Sequence, residues 1–546
     1  MKPNFLIIIV DEERYPVAYE TTELKEWKKK NLRFQTKLAK KGTVFHNHYT
    51  NTIACTPARA TLHTGQYPLV HGVTQTDGLA KPADDPEMKW LDKFTVPTMG
   101  NYFTEHGYKT ILKGKWHISE SSIKYPSGQI MNTYDSNGKP IPELEEIYLK
   151  QNVLRDYGYN GWIGPEPHGM APLNSGSSVP KPERGRDVGY THQIINELDN
   201  LDINSKDPWL LFASLVQPHD ITLFGNFTDN NMSGFDFDID PTLPQNLFTD
   251  EYKISHHESL DTKPQAQKDY RDLYPKAIQP ILNTDKYQRY YYSAQKYADE
   301  NIQKIWKKLK STSMYKNTII LFMSDHGDLL ASHGSMYQKW HNAYQEAIHI
   351  PLIISSPLFG NKHRDIYELT SHIDILPTLL GLADANIECL RNDLMKKFKL
   401  AVPLPGRNLS KYFEKKYYTE KFPDTPFYFY TEDEPFKGEN QVNALCEPYD
   451  SIPQPNHVQA IIAKWPRAGA LPHGSTKCKN ELWKLTNYYG CNCQNKCPYG
   501  GIRGELYNLT NDPTEVTNLI NNDEYADIQN YLNDLMNKYS FIYRGQ

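Results

Sequence analysis

The sequence predicts an α/β protein: a large, mostly parallel, doubly wound sheet flanked by helices, followed by a smaller antiparallel sheet. Three apolar runs carry the prediction. Phe5 to Val10, Trp209 to Val216 and Thr318 to Met323 each have the length and the largely apolar make-up of a strand buried on both faces. Each run also stops at polar, titratable residues: Asp11-Glu12-Glu13, Gln217-Pro218-His219-Asp220 and Ser324-Asp325-His326-Gly327-Asp328. In open α/β sheets ligands bind at the carboxyl edge of the strands, so three ends of this kind point to one shared site.

The remaining elements follow in chain order. Helical patterns are read at Leu32 to Lys41, Val96 to His106 and Tyr287 to Lys310, the last long and amphipathic. The segments from about Ser119 to Arg186 and from about Phe224 to Pro280 are rich in Pro, Gly, Asp and Asn and read as long loops or insertions above the site. Within the second, the acidic aromatic stretch Phe235 to Asp240 reads as a solvated loop ahead of a cation site. After Ile375 to Gly381 the texture changes to short aromatic runs, Phe427 to Tyr430 and Val458 to Ala463 among them. A boundary near residue 400 is therefore expected, with residues 1–400 carrying the catalytic α/β domain and 401–546 a smaller α+β companion.

Composition narrows the function. At 546 residues, 39% hydrophobic and 23% charged, the chain has ample material for ordered cores. A net charge of -5 argues against a nucleic-acid partner bound through a basic surface. The first apolar run is too short to cross a bilayer and lacks the layout of a secretory signal, so no membrane association and a cytoplasmic location are expected. The sequons at Asn226, Asn231, Asn408 and Asn508 are accordingly expected to stay unmodified. Of the 7 cysteines, Cys55 stands alone near the start, while Cys478, Cys491, Cys493 and Cys497 form a C-x12-C-x-C-x3-C pattern. That spacing departs from paired zinc knuckles, so free thiols or one or two disulfides are expected ahead of a structural zinc.

The chemistry concentrates in the string Cys55-Thr56-Pro57-Ala58-Arg59-Ala60-Thr61-Leu62-His63-Thr64-Gly65. Its C-x-P-x-R core resembles the signature of the type I sulfatase family, in which the cysteine is oxidised after synthesis to formylglycine. Cysteine phosphatases separate Cys and Arg by five residues, whereas three lie between them here. Other strings match the same family in the same order: Asp11-Glu12, Gly114-Lys115-Trp116-His117, Pro218-His219, Asp325-His326, Lys339 ahead of Glu346 and Pro351-Leu352-Ile353, and Glu505 to Glu515. The similarity runs from about residue 3 to about residue 520, with the long loops and the cysteine-rich stretch outside it. Glu12 stands where Asp or Gln is more usual, and His326 where Asn is common.

The resemblance implies an alkaline phosphatase-like fold and an arylsulfatase-like hydrolase of sulfate esters on small molecules or saccharides. It implies a divalent metal held by Asp11, Glu12, Asp325, His326 and the modified Cys55, with Ca2+ first and Mn2+ or Mg2+ second. It also implies a maturation enzyme that generates the formylglycine. In the family's mechanism the hydrated aldehyde attacks sulfur, Arg59 holds the diol, and Lys115 and Lys339 grip sulfate oxygens. His219 and Lys339 protonate or stabilise the departing alcohol, and His117 takes the proton that lets sulfate leave. These residue types suit the task, because a sulfate ester is anionic and its oxygens need cationic partners before a nucleophile can approach. Two alternatives stay open: hydrolysis of phosphonate monoesters or phosphodiesters at a similar site, and a non-catalytic binding protein whose Cys55 remains a thiol. His46, His48, His63, His71 and His341 receive no role.

Overall fold

The structure is a computed structural model that describes residues 2–78, 80–135, 139–167, 175–176, 185–229, 235, 237–414, 424–443, 445–465, 480–490 and 503–542. Its strands, in chain order, are β1 (Asn4–Asp11), β2 (Gly42–Phe45), β3 (His48–Tyr49), β4 (Lys109–Gly114), β5 (Trp209–Pro218), β6 (Thr318–Ser324) and β7 (Leu352–Ser355). They continue with β8 (Arg364–Ile366), β9 (Thr370–Ser371), β10 (Phe427–Thr431), β11 (His457–Lys464), β12 (Leu482–Tyr489) and β13 (Gly504–Asn508). The main sheet has 7 strands in the order β4-β5-β1-β6-β7-β2-β8, with β7 alone running against the rest. Strands β10 to β13 form a 4-stranded antiparallel sheet, and β3 pairs with β9.

Strand β1 lies at the centre, and every one of its residues is buried. Side chains alternate along a strand, so Phe5, Ile7 and Ile9 enter one core and Leu6, Ile8 and Val10 the other. The first core receives Ala60 and Leu62 from the helix Cys55–Thr64, with Tyr102 and Phe103 from the helix Met99–Glu105. The second is covered by Ile302 and Ile305 of the helix Thr284–Ser311 and by Ile194 and Leu198 of the helix Arg186–Asn204. Fixing β1 between β5 and β6 brings the ends of three predicted strands side by side.

The small sheet follows the same alternation. Phe427, Phe429, Val458 and Ile462 pack toward Tyr49, Ile53 and Ala54, while Tyr428, Tyr430, Ile461 and Leu485 pack under Ile528, Leu532 and Met536 of the helix Ala526–Ile542.

The two segments read as long loops contain regular structure. The helix Pro142–Gln151 interrupts the first, and the helices Asp250–His256 and Gln265–Ala277 interrupt the second. Proline misleads here because Pro142 opens its helix and Pro264 precedes one, positions where a missing N–H costs nothing. The stretch from Phe235 is also less solvated than expected. Phe235 and Phe237 join Tyr287 and Tyr290 in a buried cluster, and Asp240 pairs with Lys296; Asp236 lies outside the described residues. Cys478, Cys491, Cys493 and Cys497 also lie outside them, while Cys389 and Cys446 are free and exposed. Among the described residues, no helix is long and apolar enough to cross a membrane.

Candidate active site

Cys55 is the first residue of a ten-residue helix and is 2% exposed. Its Sγ lies 3.1 Å from His326 Nε2 and 3.5 Å from Asp11 Oδ1. Arg59 sits one turn later, on the same helix face. Its guanidinium is fully buried and occupied on every nitrogen: Nε donates to Asp325 Oδ2 at 2.8 Å, Nη2 to Asp11 Oδ2 at 3.0 Å, and Nη1 to Ser214 Oγ at 2.9 Å and the Lys115 carbonyl at 3.1 Å. Arg59 thus joins the ends of β1, β4 and β6 to a hydroxyl of β5.

Both carboxylate pairs are buried. Asp11 Oδ2 also accepts from Lys115 Nζ at 2.6 Å, and Glu12 Oε1 accepts from Lys339 Nζ at 2.8 Å. Asp325 Oδ1 accepts from the Glu12 and His326 backbone N–H groups at 3.0 and 2.9 Å. Glu12 takes a left-handed backbone, φ 76°, a conformation that costs a non-glycine residue about 1 kcal/mol. Burial would raise the Asp11 pKa, but Lys115, His219, Arg59 and His326 outweigh it and hold the carboxyl well below its usual range. At Glu12 burial prevails over Lys339, and the carboxyl is raised.

Lys115 and Lys339 rest on the Asp11 and Glu12 carboxylates, because a buried ammonium without a counter-charge is costly. His219, at the start of a short 3-10 turn after β5, places a ring nitrogen within 4.8 Å of carboxylate oxygens of Asp11 and Glu12. Burial and the neighbouring Lys115 push its pKa well below that of an ordinary imidazole. His117 has a left-handed backbone, φ 59°, and its N–H donates to Glu166 Oε1 at 2.9 Å. Burial lowers its pKa, yet Asp77, 2.5 Å from Nε2, more than compensates and raises it to about 9.

A divalent cation fits this donor set. One ligand atom each from Asp11, Cys55, Asp325 and His326 lies within 4.8 Å of the others. Glu12 Oε2 is buried and accepts no hydrogen bond from the described residues. His326 Nδ1 lies 3.1 Å from the Gly327 carbonyl, which can only accept, so Nδ1 carries the hydrogen and Nε2 keeps its lone pair. Arg59, Lys115 and Lys339 face Asp11, Glu12 and Asp325, and a divalent cation added to that balanced group leaves positive charge for an anion.

Every site residue named from the sequence is therefore brought to one edge of the sheet. Ser214, Asp77, Glu166 and Asp433 were not singled out. Ser214 had a signal, a hydroxyl inside an otherwise apolar strand; the other three reach the site from loops. Asp433, just after β10, accepts from the Ala54 N–H at 3.2 Å, the Thr76 N–H at 2.9 Å and Trp340 Nε1 at 2.8 Å.

The family model described as Sulfatase matches residues 3–385. The chain belongs to the sulfatase family. Among its relatives are a choline-sulfatase of Rhizobium meliloti, 26% identical over 71% of this chain and 69% of its own, and a Δ4,5-hexuronate-2-O-sulfatase of Bacteroides thetaiotaomicron, 27% identical over 70% and 68%. Among solved structures, a 2-O GAG sulfatase superposes with a TM-score of 0.65 at 20% identity, covering 100% of this chain and 93% of the other. A phosphonate monoester hydrolase of Agrobacterium radiobacter superposes at 0.58 and 19% identity, covering 99% and 96%. This sulfatase thus has the alkaline phosphatase-like fold expected of it and is a sulfuric ester hydrolase by class.

Proposed function

We propose that this sulfatase cleaves a sulfate ester of a small molecule or saccharide through a formylglycine made from Cys55 by a maturation enzyme. The observation that supports the reading most directly is the position of Cys55 Sγ, at a helix N-terminus and within 3.5 Å of both Asp11 Oδ1 and His326 Nε2. Free N–H groups of the first turn and the helix dipole favour negative charge there. Formylglycine would supply, as its hydrate, a hydroxyl nucleophile at position 55 and a way to release the sulfated intermediate without a second hydrolysis. Asp11, Glu12, Asp325, His326 and residue 55 would hold a divalent cation, Ca2+ first and Mn2+ or Mg2+ second, which would supply Lewis-acid polarisation of a sulfate oxygen.

The chain's own residues do the rest. Arg59 fixes Asp11 and Asp325 at the spacing their shared role requires. Lys115 and Lys339, kept charged by Asp11 and Glu12, provide cations beside the ester. His219 and Lys339 would protonate or stabilise the departing alcohol, and His117 would take the hydroxyl proton at residue 55. In this reading residues 1–400 are the catalytic unit and 401–546 a companion that closes over it.

The test is mass spectrometry of the Cys55 peptide from protein made in its native host, with turnover of aryl, sugar, choline and steroid sulfates. Aldehyde at position 55 and loss of turnover in Cys55→Ala are expected. A peptide wholly at the thiol mass supports the binding-protein alternative. Chelation and Asp325→Ala should each lower turnover, and indifference to both removes the metal. The second reading, phosphonate monoester or phosphodiester hydrolysis, draws on the fold shared with the Agrobacterium enzyme; faster turnover of an aryl phosphonate than of an aryl sulfate would favour it.

A further inference from the structure

We propose that Asp77 is the positioning residue of His117, holding the imidazole by Nε2 so that Nδ1 is the nitrogen presented to residue 55. The inference rests on the proposed role of His117 beside the nucleophile.

Asp77 Oδ1 lies 2.5 Å from His117 Nε2, the distance of a strong, charge-assisted hydrogen bond. A carboxylate accepts, so Nε2 carries the hydrogen. The other ring nitrogen, Nδ1, is buried and has no hydrogen-bond partner among the described residues, and Cys55 is among the groups that act on this ring. A buried polar atom left without a partner calls for a reason, and a reacting group supplies one. Thr56, next in sequence to Cys55, places its Oγ1 3.5 Å from Nε2 of the same imidazole, so the ring lies beside the start of the nucleophile helix.

Both members of the pair are clamped from behind. The Trp116 and His117 N–H groups donate to the two Glu166 carboxylate oxygens at 3.2 and 2.9 Å, which fixes the His117 backbone. On the other side the Thr76 N–H donates to Asp433 Oδ1 at 2.9 Å, and Gln75 bonds main-chain groups of Glu432 and Glu434 at 2.7 and 3.2 Å. Asp77 is therefore carried on a segment pinned to the strand end of the small sheet, and the ring has one orientation available. Triads that work by general base catalysis use a buried carboxylate in this way, to set which nitrogen faces the substrate. Asp77 itself acts through the ring and is not a catalytic residue.

The experiment compares wild type, Asp77→Asn and Asp77→Glu, each with conversion at position 55 measured. Asp77→Asn is expected to lower kcat by about 100-fold, in the range of a lost general base, with KM within about threefold. Asp77→Glu, which keeps the carboxylate, is expected to stay within about tenfold of wild-type kcat. A far-downfield imidazole proton, assigned by its loss in His117→Ala, should be present in wild type and absent in Asp77→Asn. Wild-type kcat in a folded, converted Asp77→Asn, an Asp77→Glu no better than Asp77→Asn, or survival of the proton resonance in Asp77→Asn overturns the proposal. A wild type that turns over no sulfate or phosphonate ester defeats the functional reading alone, because the proton resonance still tests the pairing.

Discussion

Arg59 shows what one residue does for this site. Its planar fork meets two carboxylates, a hydroxyl and a carbonyl at full burial, which the point charge of a lysine would not reproduce. Arg59→Ala leaves Asp11 and Asp325 facing each other without their cation. Removing one partner of a buried pair costs about 3–5 kcal/mol, so a loss of that size is expected in urea unfolding at fixed metal concentration, together with loss of turnover. A change within 1 kcal/mol, as typical of a surface site, would show that the guanidinium is dispensable. Arg59 was legible in the sequence because it closes the C-x-P-x-R string that resembles the sulfatase signature. Asp77 and Glu166 were not, since each approaches His117 across tens of residues from segments with no periodicity to read.

At the scale of elements, the loop after β6 deserves its own account. Leu330, Ala331, His333, Ser335, Gln338 and His341 all have positive φ, between 49° and 67°, and Lys339 is carried among them. Something must hold so strained a path, and His333 is one of its anchors. Its ring stacks on Tyr344 at 3.5 Å and lies between Glu258 at 3.1 Å and Glu346 at 3.2 Å, with Arg14 acting on the second carboxylate. Burial lowers the His333 pKa, but Glu346 and Glu258 raise it overall to about 9, against 6.5 in the free residue. A raised pKa means stability fully present below pH 6.5 and lost as the pH climbs through about 9. The melting temperature should therefore fall across that window, and His333→Gln should flatten the fall; an unchanged slope in the variant would assign it elsewhere. Strand β6 ahead of this loop was readable because a continuous apolar run admits few other fates, and β7 after it through the family resemblance. The loop's path was not, since left-handed residues outside glycine leave no compositional mark.

Across the whole molecule, the small sheet is packed and hydrogen-bonded to the segment that carries Cys55. Phe427, Phe429 and Ile462 pack against Ile53 and Ala54, and the Thr431 hydroxyl donates to the Ile53 carbonyl at 2.6 Å. A chain ended at residue 400 is expected to be insoluble or to lack a sharp unfolding transition, since it exposes that apolar face and loses Asp433; a soluble fragment melting near the full-length temperature would refute this. The change of texture after residue 381 signalled a second sheet, but not that its strand end would hold the Cys55 segment. That tether bears on the history of the molecule as well as its form. Once the helix has closed, a thiol 2% exposed is beyond the reach of another enzyme's pocket, so on the proposed chemistry the oxidation of Cys55 has to come before the chain folds. Protein purified with its cysteine intact should remain unconverted when native and meet the maturation enzyme productively only after denaturation, making the order of synthesis, oxidation and folding irreversible in the cell.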